Sequence, residues 1–365
     1  MRNVGKVMAE LPGAVEAETA EPPRPRRRRP TGFGLLLLVI GWLIVAGLAV
    51  LALLRLVAWD DAEILLVLNS LYLTVYLPAW VVAAVALIAR RWVLGGAALV
   101  IVAAQVAFAL PELTAGTPLP AWSRSATGAT MIRVFDANLD SGWELYPGYR
   151  QAISRYDPDL ITFEEFSGNG APGFPGGAIE TMKNTGMLVK YPYYCSEPGF
   201  GATGFMLASR IRVTGCQFKT VQWDGQGMYY LVEATMWLPS GPIPVRLFHT
   251  LAPLPSSWTE TRSALAAADT MVRDTGASHM LMIGDFNSSW GNRGFRQLLG
   301  DGLTDAAAAR GQAFDFTWPN GAVVPPFVRI DHILTGSQLA VTTMTTHAGF
   351  GSDHKYLEAT VAIHR

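Results

Sequence analysis

Three stretches of the chain carry no Asp, Glu, Lys or Arg: Pro30 to Leu54 (25 residues), Ile64 to Ala89 (26) and Trp92 to Pro111 (20). A helix rising 1.5 Å per residue needs about 20 apolar residues to cross the hydrocarbon core of a bilayer. Backbone in lipid must also satisfy its own hydrogen bonds, which leaves helix as the available form. The pattern therefore predicts three transmembrane helices, over 33–54, 64–89 and 92–110. From Met131 onward short apolar runs alternate with turn clusters. Strand-like runs fall at 131–137, 160–163, 203–208, 229–237, 244–249, 279–284, 328–334 and 357–363. One helical stretch, 259–273, opens with Thr259 as its expected cap. The Gly- and Pro-containing stretch Ser167 to Gly186 reads as a mobile surface loop.

The division that follows is a disordered basic tail over 1–32, three spans within 33–110, a linker over 111–130 and a domain over 131–365. The linker is rich in Pro, Thr, Ser, Gly and Ala and, as a flexible coil, would span on the order of 25 Å. That is short enough to keep the domain close to the membrane. Overall the 365 residues are 50% hydrophobic and only 16% charged, which excludes a disordered protein, a coiled coil and a fully soluble enzyme.

Orientation follows from the basic residues. Arg24 and Arg26 to Arg29 precede the first span, and Arg90 and Arg91 separate the second from the third. The connection 55–63 has one Arg against Asp60, Asp61 and Glu63. The N-terminus and the Arg90–Arg91 turn are thus expected in the cytoplasm, and the domain over 131–365 outside the plasma membrane. The first apolar run is too long for a signal-peptide core and two more follow it, so cleavage is not expected. The arginine run also fits contact with anionic lipid or nucleic acid, but its role in topology is sufficient to explain it. Residues 131–365 hold 17 Lys+Arg against 21 Asp+Glu, a net of −4, with no basic stripe of the kind that follows duplex phosphates. The two cysteines, Cys195 and Cys216, fit a disulfide in an oxidising compartment and buried free thiols equally well.

Several polar residues stand at the ends of apolar runs, where one rim of a sheet can gather them: Asn138, Glu165, His249, Asp285, Asn287, Asp331, Asp353 and His354. Carboxylate and amide oxygens suit a hard cation such as Mg²⁺ or Mn²⁺. Histidines beside them suit phosphate-ester hydrolysis. Taken singly, each has an ordinary structural explanation, since an Asp or Asn after a strand usually caps a helix or makes a turn.

Their order carries more. "DLITFEEF" around Glu165, "GFMLASR" (204–210), the His249 strand, "GDFN" (284–287), "IDHIL" (330–334) and "SDH" (352–354) follow one another along the chain. With the early strand ending in Asn138, this set resembles the endonuclease/exonuclease/phosphatase superfamily, the DNase I-like proteins, over nearly all of 131–365. The resemblance implies a four-layer α/β sandwich with the active site at one edge. It implies Glu165 as principal metal ligand, with Asn138, Asp285, Asn287 and Asp353 helping to hold metal, water or phosphate. His354, oriented by Asp331, would act on the attacking water or the phosphoryl group. His249 would bind the scissile phosphate or assist the leaving group. The role of general base lies open between Asp285 and His354. Glu164 departs from the family pattern, which usually has Gln there, and "HTLAP" replaces the common "H-L".

Three functions fit. An extracytoplasmic phosphohydrolase acting on a lipid-linked phosphate, pyrophosphate or phospholipid fits the tether, and resembles the membrane branch associated with glycopeptide-antibiotic resistance in actinobacteria. An outward-facing nuclease on DNA or RNA is the second, with Trp258, Trp290 and Trp318 as stacking surfaces; core or interface roles suit those tryptophans better. A catalytically silent binding module is the third, but none of the central ligands is lost. The partners expected are the bilayer and the phosphate ester, with no obligate protein partner evident.

Overall fold

The computed structural model describes residues 32–125, 127–141, 147–168, 177–199, 202–223 and 225–365. The arginine run of the tail lies outside the described residues. The chain divides at Ile40–Gly41, within helix α1 (Gly32–Val57), and residues 41–365 form one compact unit.

Three further helices precede the domain: α2 (Glu63–Ser70), α3 (Leu77–Ile88) and α4 (Trp92–Leu113). Among the described residues, only α1 and α4 are long and apolar enough to cross a membrane. The continuous second span expected over 64–89 is instead two helices separated by a turn at 71–76. The reason is local polarity. Asn69 and Ser70 turn toward the domain and Pro78 starts a new helix in its first turn, where its missing N–H costs nothing. The freed carbonyl of Leu73 is taken up by Gln105 Nε2 of α4 at 2.8 Å, while Gln105 Oε1 accepts from Trp80 Nε1.

The connection after α4 is not a free coil. Thr117 N–H donates to Ala309 O, Arg310 donates to Thr117 O, and Trp122 stacks on His364 at 4.8 Å. The chain then forms β1 (Ala129–Asn138), α5 (Pro147–Tyr156), β2 (Leu160–Glu164), α6 (Gly177–Asn184), α7 (Met187–Lys190), β3 (Tyr193–Glu197) and β4 (Phe205–Ser209). β5 (Val213–Trp223), β6 (Gln226–Leu238), β7 (Gly241–His249), α8 (Trp258–Thr275), β8 (Leu281–Asp285) and α9 (Arg293–Gly300) follow. β9 (Thr304–Asp305), α10 (Ala306–Ala309), β10 (Asp331–Thr335), β11 (Leu339–His347) and β12 (Tyr356–His364) complete it. Two expectations change here. Ser257, not Thr259, stands at the N-cap position of α8, with its hydroxyl donated back to Ala252 O, and Thr259 lies in the first turn with its hydroxyl on Glu260. Part of the stretch read as a mobile loop is helix α6; 169–176 lie outside the described residues.

Two six-stranded sheets face each other, in the orders β11-β12-β1-β2-β4-β3 and β5-β6-β7-β8-β10-β9. Alternation along each strand builds three apolar layers. Val134, Leu160, Leu247 and Ile283 enter the core between the sheets. Phe135 and Phe163 turn outward under α5 and α6, and Phe248 and Met282 outward under α8 and α9. Helices, sheet, sheet and helices make the expected four-layer sandwich.

Cys195 and Cys216 are joined as a disulfide. It ties β3, at the edge of one sheet, to β5, at the edge of the other. Closing a loop with a sequence separation of 21 stabilises a chain by about 3 kcal/mol through the unfolded state. Replacing both cysteines by Ser should lower the unfolding free energy of the detergent-solubilised protein by that amount. A urea midpoint equal to wild type at unchanged slope would show that the bridge does not contribute.

Candidate active site

The register of the two sheets assembles the site. β1 and β2 run parallel with Asn138 opposite Glu164, and β7 and β8 run parallel with His249 opposite Asp285. β10 is antiparallel to β8 and begins at Asp331, which pairs with Asp285. The turn leading into β12 adds Asp353 and His354. The carboxyl ends of four strands and the start of one therefore meet at a single edge, which brings all eight sequence-predicted residues together.

Asn138 Nδ2 donates to Glu165 Oε1 at 3.1 Å and to Asp285 Oδ2 at 3.0 Å, and its Oδ1 accepts from Asp140 N–H. His249 Nε2 lies 3.7 Å from both Glu165 Oε1 and Asp285 Oδ2. Asn287 Nδ2 donates to Thr250 O and to Asp285 Oδ2, and Asn287 N–H to Asp285 Oδ1. Asp331 holds His354 Nδ1 at 3.0 Å, and this leaves His354 Nε2 3.7 Å from both Asp285 Oδ2 and Asp353 Oδ1. Glu165 and Asn287 both have positive φ, +51° and +44°, a conformation that non-glycine residues keep only where the surroundings over-determine it.

Burial sets the protonation states. His354 is disfavoured as a cation by burial, but Asp331 and Asp285 outweigh this and raise its pKa to about 10. Asp285 is raised well above the carboxylate range, first by burial, against the pull of His354. Beneath the site burial, then Asp136 and Asp331, raise Glu164 as well. The residue that departs from the family's Gln is thereby pushed toward its neutral form.

Some contributors were not legible in the sequence. Ser141 Oγ donates to Glu165 Oε2 at 3.1 Å. Ser352 Oγ bridges, donating to Asn138 O and accepting from His354 N–H. Trp318 Nε1 donates to Asp353 Oδ2 at 2.9 Å and so aims that carboxylate. On the outer side His332 lies between Asp305 Oδ2 (3.3 Å) and Ser288 O (3.1 Å), and Trp290 Nε1 donates to the same Asp305 oxygen. Burial works against the charge of Asp305, yet His332 and Arg329 hold its pKa down at about 2. This pair props up the loop that follows Asn287. The "SR" of GFMLASR plays no part here: Ser209 pairs with Leu160 at the far end of its strand, and Arg210 binds Asp157 and Asp159.

The donor set fits a divalent cation. Carboxylate oxygens of Glu165, Asp285 and Asp353 converge with amide groups, and the buried His249 Nε2 finds no hydrogen-bond partner among the described residues. Asp285, Asp331 and His354 each offer an atom within 4.8 Å of the others. Oxygen-rich sets of this kind select Mg²⁺ or Mn²⁺ over softer ions.

A model described as "Endonuclease/Exonuclease/phosphatase family" matches residues 138–354. Among solved structures, a 3'-5' exonuclease (NExo) from Neisseria meningitidis aligns with a TM-score of 0.50 at 18% identity, over 62% of this chain and 98% of that one. An endonuclease/exonuclease/phosphatase family protein from Bacteroides thetaiotaomicron aligns with a TM-score of 0.50 at 14% identity, over 65% and 99%. At such identities the likeness is one of fold. No curated protein matches the sequence.

Proposed function

Because the chain belongs to the endonuclease/exonuclease/phosphatase family, we propose that it is a membrane-anchored, extracytoplasmic, metal-dependent phosphohydrolase acting on a lipid-linked phosphate or pyrophosphate, or a phospholipid. Three features support the membrane reading. α1 and α4 are apolar along their length. Arg262 of the catalytic domain pairs with Asp61 of the connection 55–63 at 3.2 Å, which keeps the domain beside the end of α1. The disulfide is at home in an oxidising compartment.

The observation that carries the lipid reading is that the loop after Asn287 rests on the end of α1. Gly291 O accepts from Arg55 Nη1 at 2.6 Å and from Trp59 Nε1 at 2.8 Å. Gly291 is four positions on from Asn287, at most about 14 Å of chain, which supports a site near the level where lipid phosphates lie.

Glu165, Asp285, Asn287 and Asp353 would hold the cation, with Asn138 helping by fixing Glu165 and Asp285. When bound, the cation polarises the phosphoryl oxygens as a Lewis acid. Asp331 fixes His354 so that Nε2–H points into the site, where it donates to a phosphoryl oxygen. Asp285 Oδ2 lies 3.7 Å from both His249 Nε2 and His354 Nε2, in place to take the proton of the attacking water. His249, buried and neutral, is set to donate toward the leaving oxygen.

The test is phosphate release from a polyprenyl pyrophosphate in detergent micelles with Mg²⁺, wild type against His354→Ala. Release that collapses in the variant is expected. No release from folded, metal-loaded wild type, together with nicking of plasmid DNA, would replace the lipid reading by a nuclease.

A further inference from the structure

Two buried hydrogen-bonding surfaces meet where the helices touch the catalytic domain. From the helices, Arg55 donates both to Asn69 Oδ1 and to Gly291 O, and Asn69 Nδ2 donates to Asp60 Oδ1. Asp60 Oδ2 accepts from Arg293 N–H, the first residue of α9. From the domain, Asn292 Nδ2 donates to Leu66 O at 2.9 Å, and Asn292 Oδ1 accepts from Ser70 Oγ and Ser289 N–H. Ser289 Oγ donates in turn to Ser70 O at 2.8 Å. The fit is close: a Cβ on Gly291 would stand 1.7 Å from Asn69 O.

This surface is the loop that leaves Asn287. Its other side is held by His332 on Ser288 O and by Asp305 on Trp290. Asn287 itself sits at φ +44° and bonds Asp285, so its conformation depends on what fixes the residues after it. We propose that Arg55, Asp60, Asn69 and Ser70 are positioning residues of the active site: the membrane-proximal helices hold the loop Ser288–Arg293, and through it Asn287 and Asp285, in the geometry that binds the cation. The inference rests on the metal-dependent phosphohydrolase reading of that site. It makes catalysis depend on the anchor, so that a change in the packing of α1 against α2 is felt at Asp285.

The experiment uses the full chain in detergent micelles, with bis(p-nitrophenyl) phosphate as probe. Gly291→Ala pushes the two surfaces apart without removing a polar group, and Asn69→Ala removes the hub on the helix side. Both should lower kcat about tenfold or more and weaken Mn²⁺ affinity, measured without substrate, about tenfold. KM should stay within about threefold and the β-sheet amides should keep their exchange protection. Arg55→Lys keeps a donor for Gly291 O and should recover most of what Arg55→Leu loses. The proposal is overturned if kcat and Mn²⁺ affinity stay at wild-type values, or if they fall only in proportion to the folded fraction. Wild type that cleaves neither this probe nor a lipid pyrophosphate would sink the phosphohydrolase reading; the Mn²⁺ affinities would still decide the role of the helices.

Discussion

His354→Ala lowers kcat about 10³-fold, within the range that loss of a positioned acid–base group produces. The imidazole is buried and anchored by Asp331 at 3.0 Å, and its Nε2 is aimed at the space beside Asp285 and Asp353. Truncation removes the N–H that meets the phosphoryl oxygen and leaves Asp331 and Asp285 facing each other without their cation. Asp331→Asn should cost about 10²-fold, because the ring remains but loses the partner that fixes its orientation and its proton. Steady-state release from the lipid pyrophosphate measures both. Equal kcat for wild type and His354→Ala, with metal bound, would remove His354 from the chemistry and leave Asp285 and His249 as the proton-transfer groups.

Glu165→Gln is expected to weaken Mn²⁺ binding about 100-fold while the fold stays intact. Gln is nearly isosteric and keeps an acceptor for Asn138 Nδ2 or Ser141 Oγ, so the change removes charge and little else. Its carboxylate is the most accessible of those facing His249, 15% exposed against none for Asp285. A lost unit charge weighs heavily against a divalent ion in so dry a site. Mn²⁺ titration followed by electron paramagnetic resonance reads the affinity directly. An unchanged dissociation constant would move the cation toward Asp285, Asp331 and His354, the three groups that also lie within 4.8 Å of one another.

The eight strands read from apolar runs all exist, and the four that were not read share one property. β3, β5, β9 and β11 are the edge strands of the two sheets. An edge strand is covered on fewer sides and carries more polar residues, so its hydrophobic signal is weak. β5 shows this in VTGCQFKTVQW. The second span fails for the converse reason. Hydropathy over 64–89 is high enough for a helix, but Asn69 and Ser70 serve a docking surface that no local pattern reveals, and Pro78 starts a new helix.

Sequence by itself determined the parts that depend on identity and order: the apolar helices, the alternation that forms the sandwich, and the eight polar residues at its edge. Each of those residues ends or begins a strand or lies within three positions of one, so strand register was enough to bring them together. Tertiary structure decided what depends on groups distant in the chain. It joined Cys195 to Cys216, gave Trp318 to Asp353 and Ser352 to Asn138, and laid Ser289 to Arg293 on the helix ends at Arg55, Asp60 and Asn69. Apart from the disulfide, those contacts are hydrogen bonds between residues up to 236 positions apart. Their partners are chosen by how packed layers meet, and that choice leaves no periodic trace along the chain.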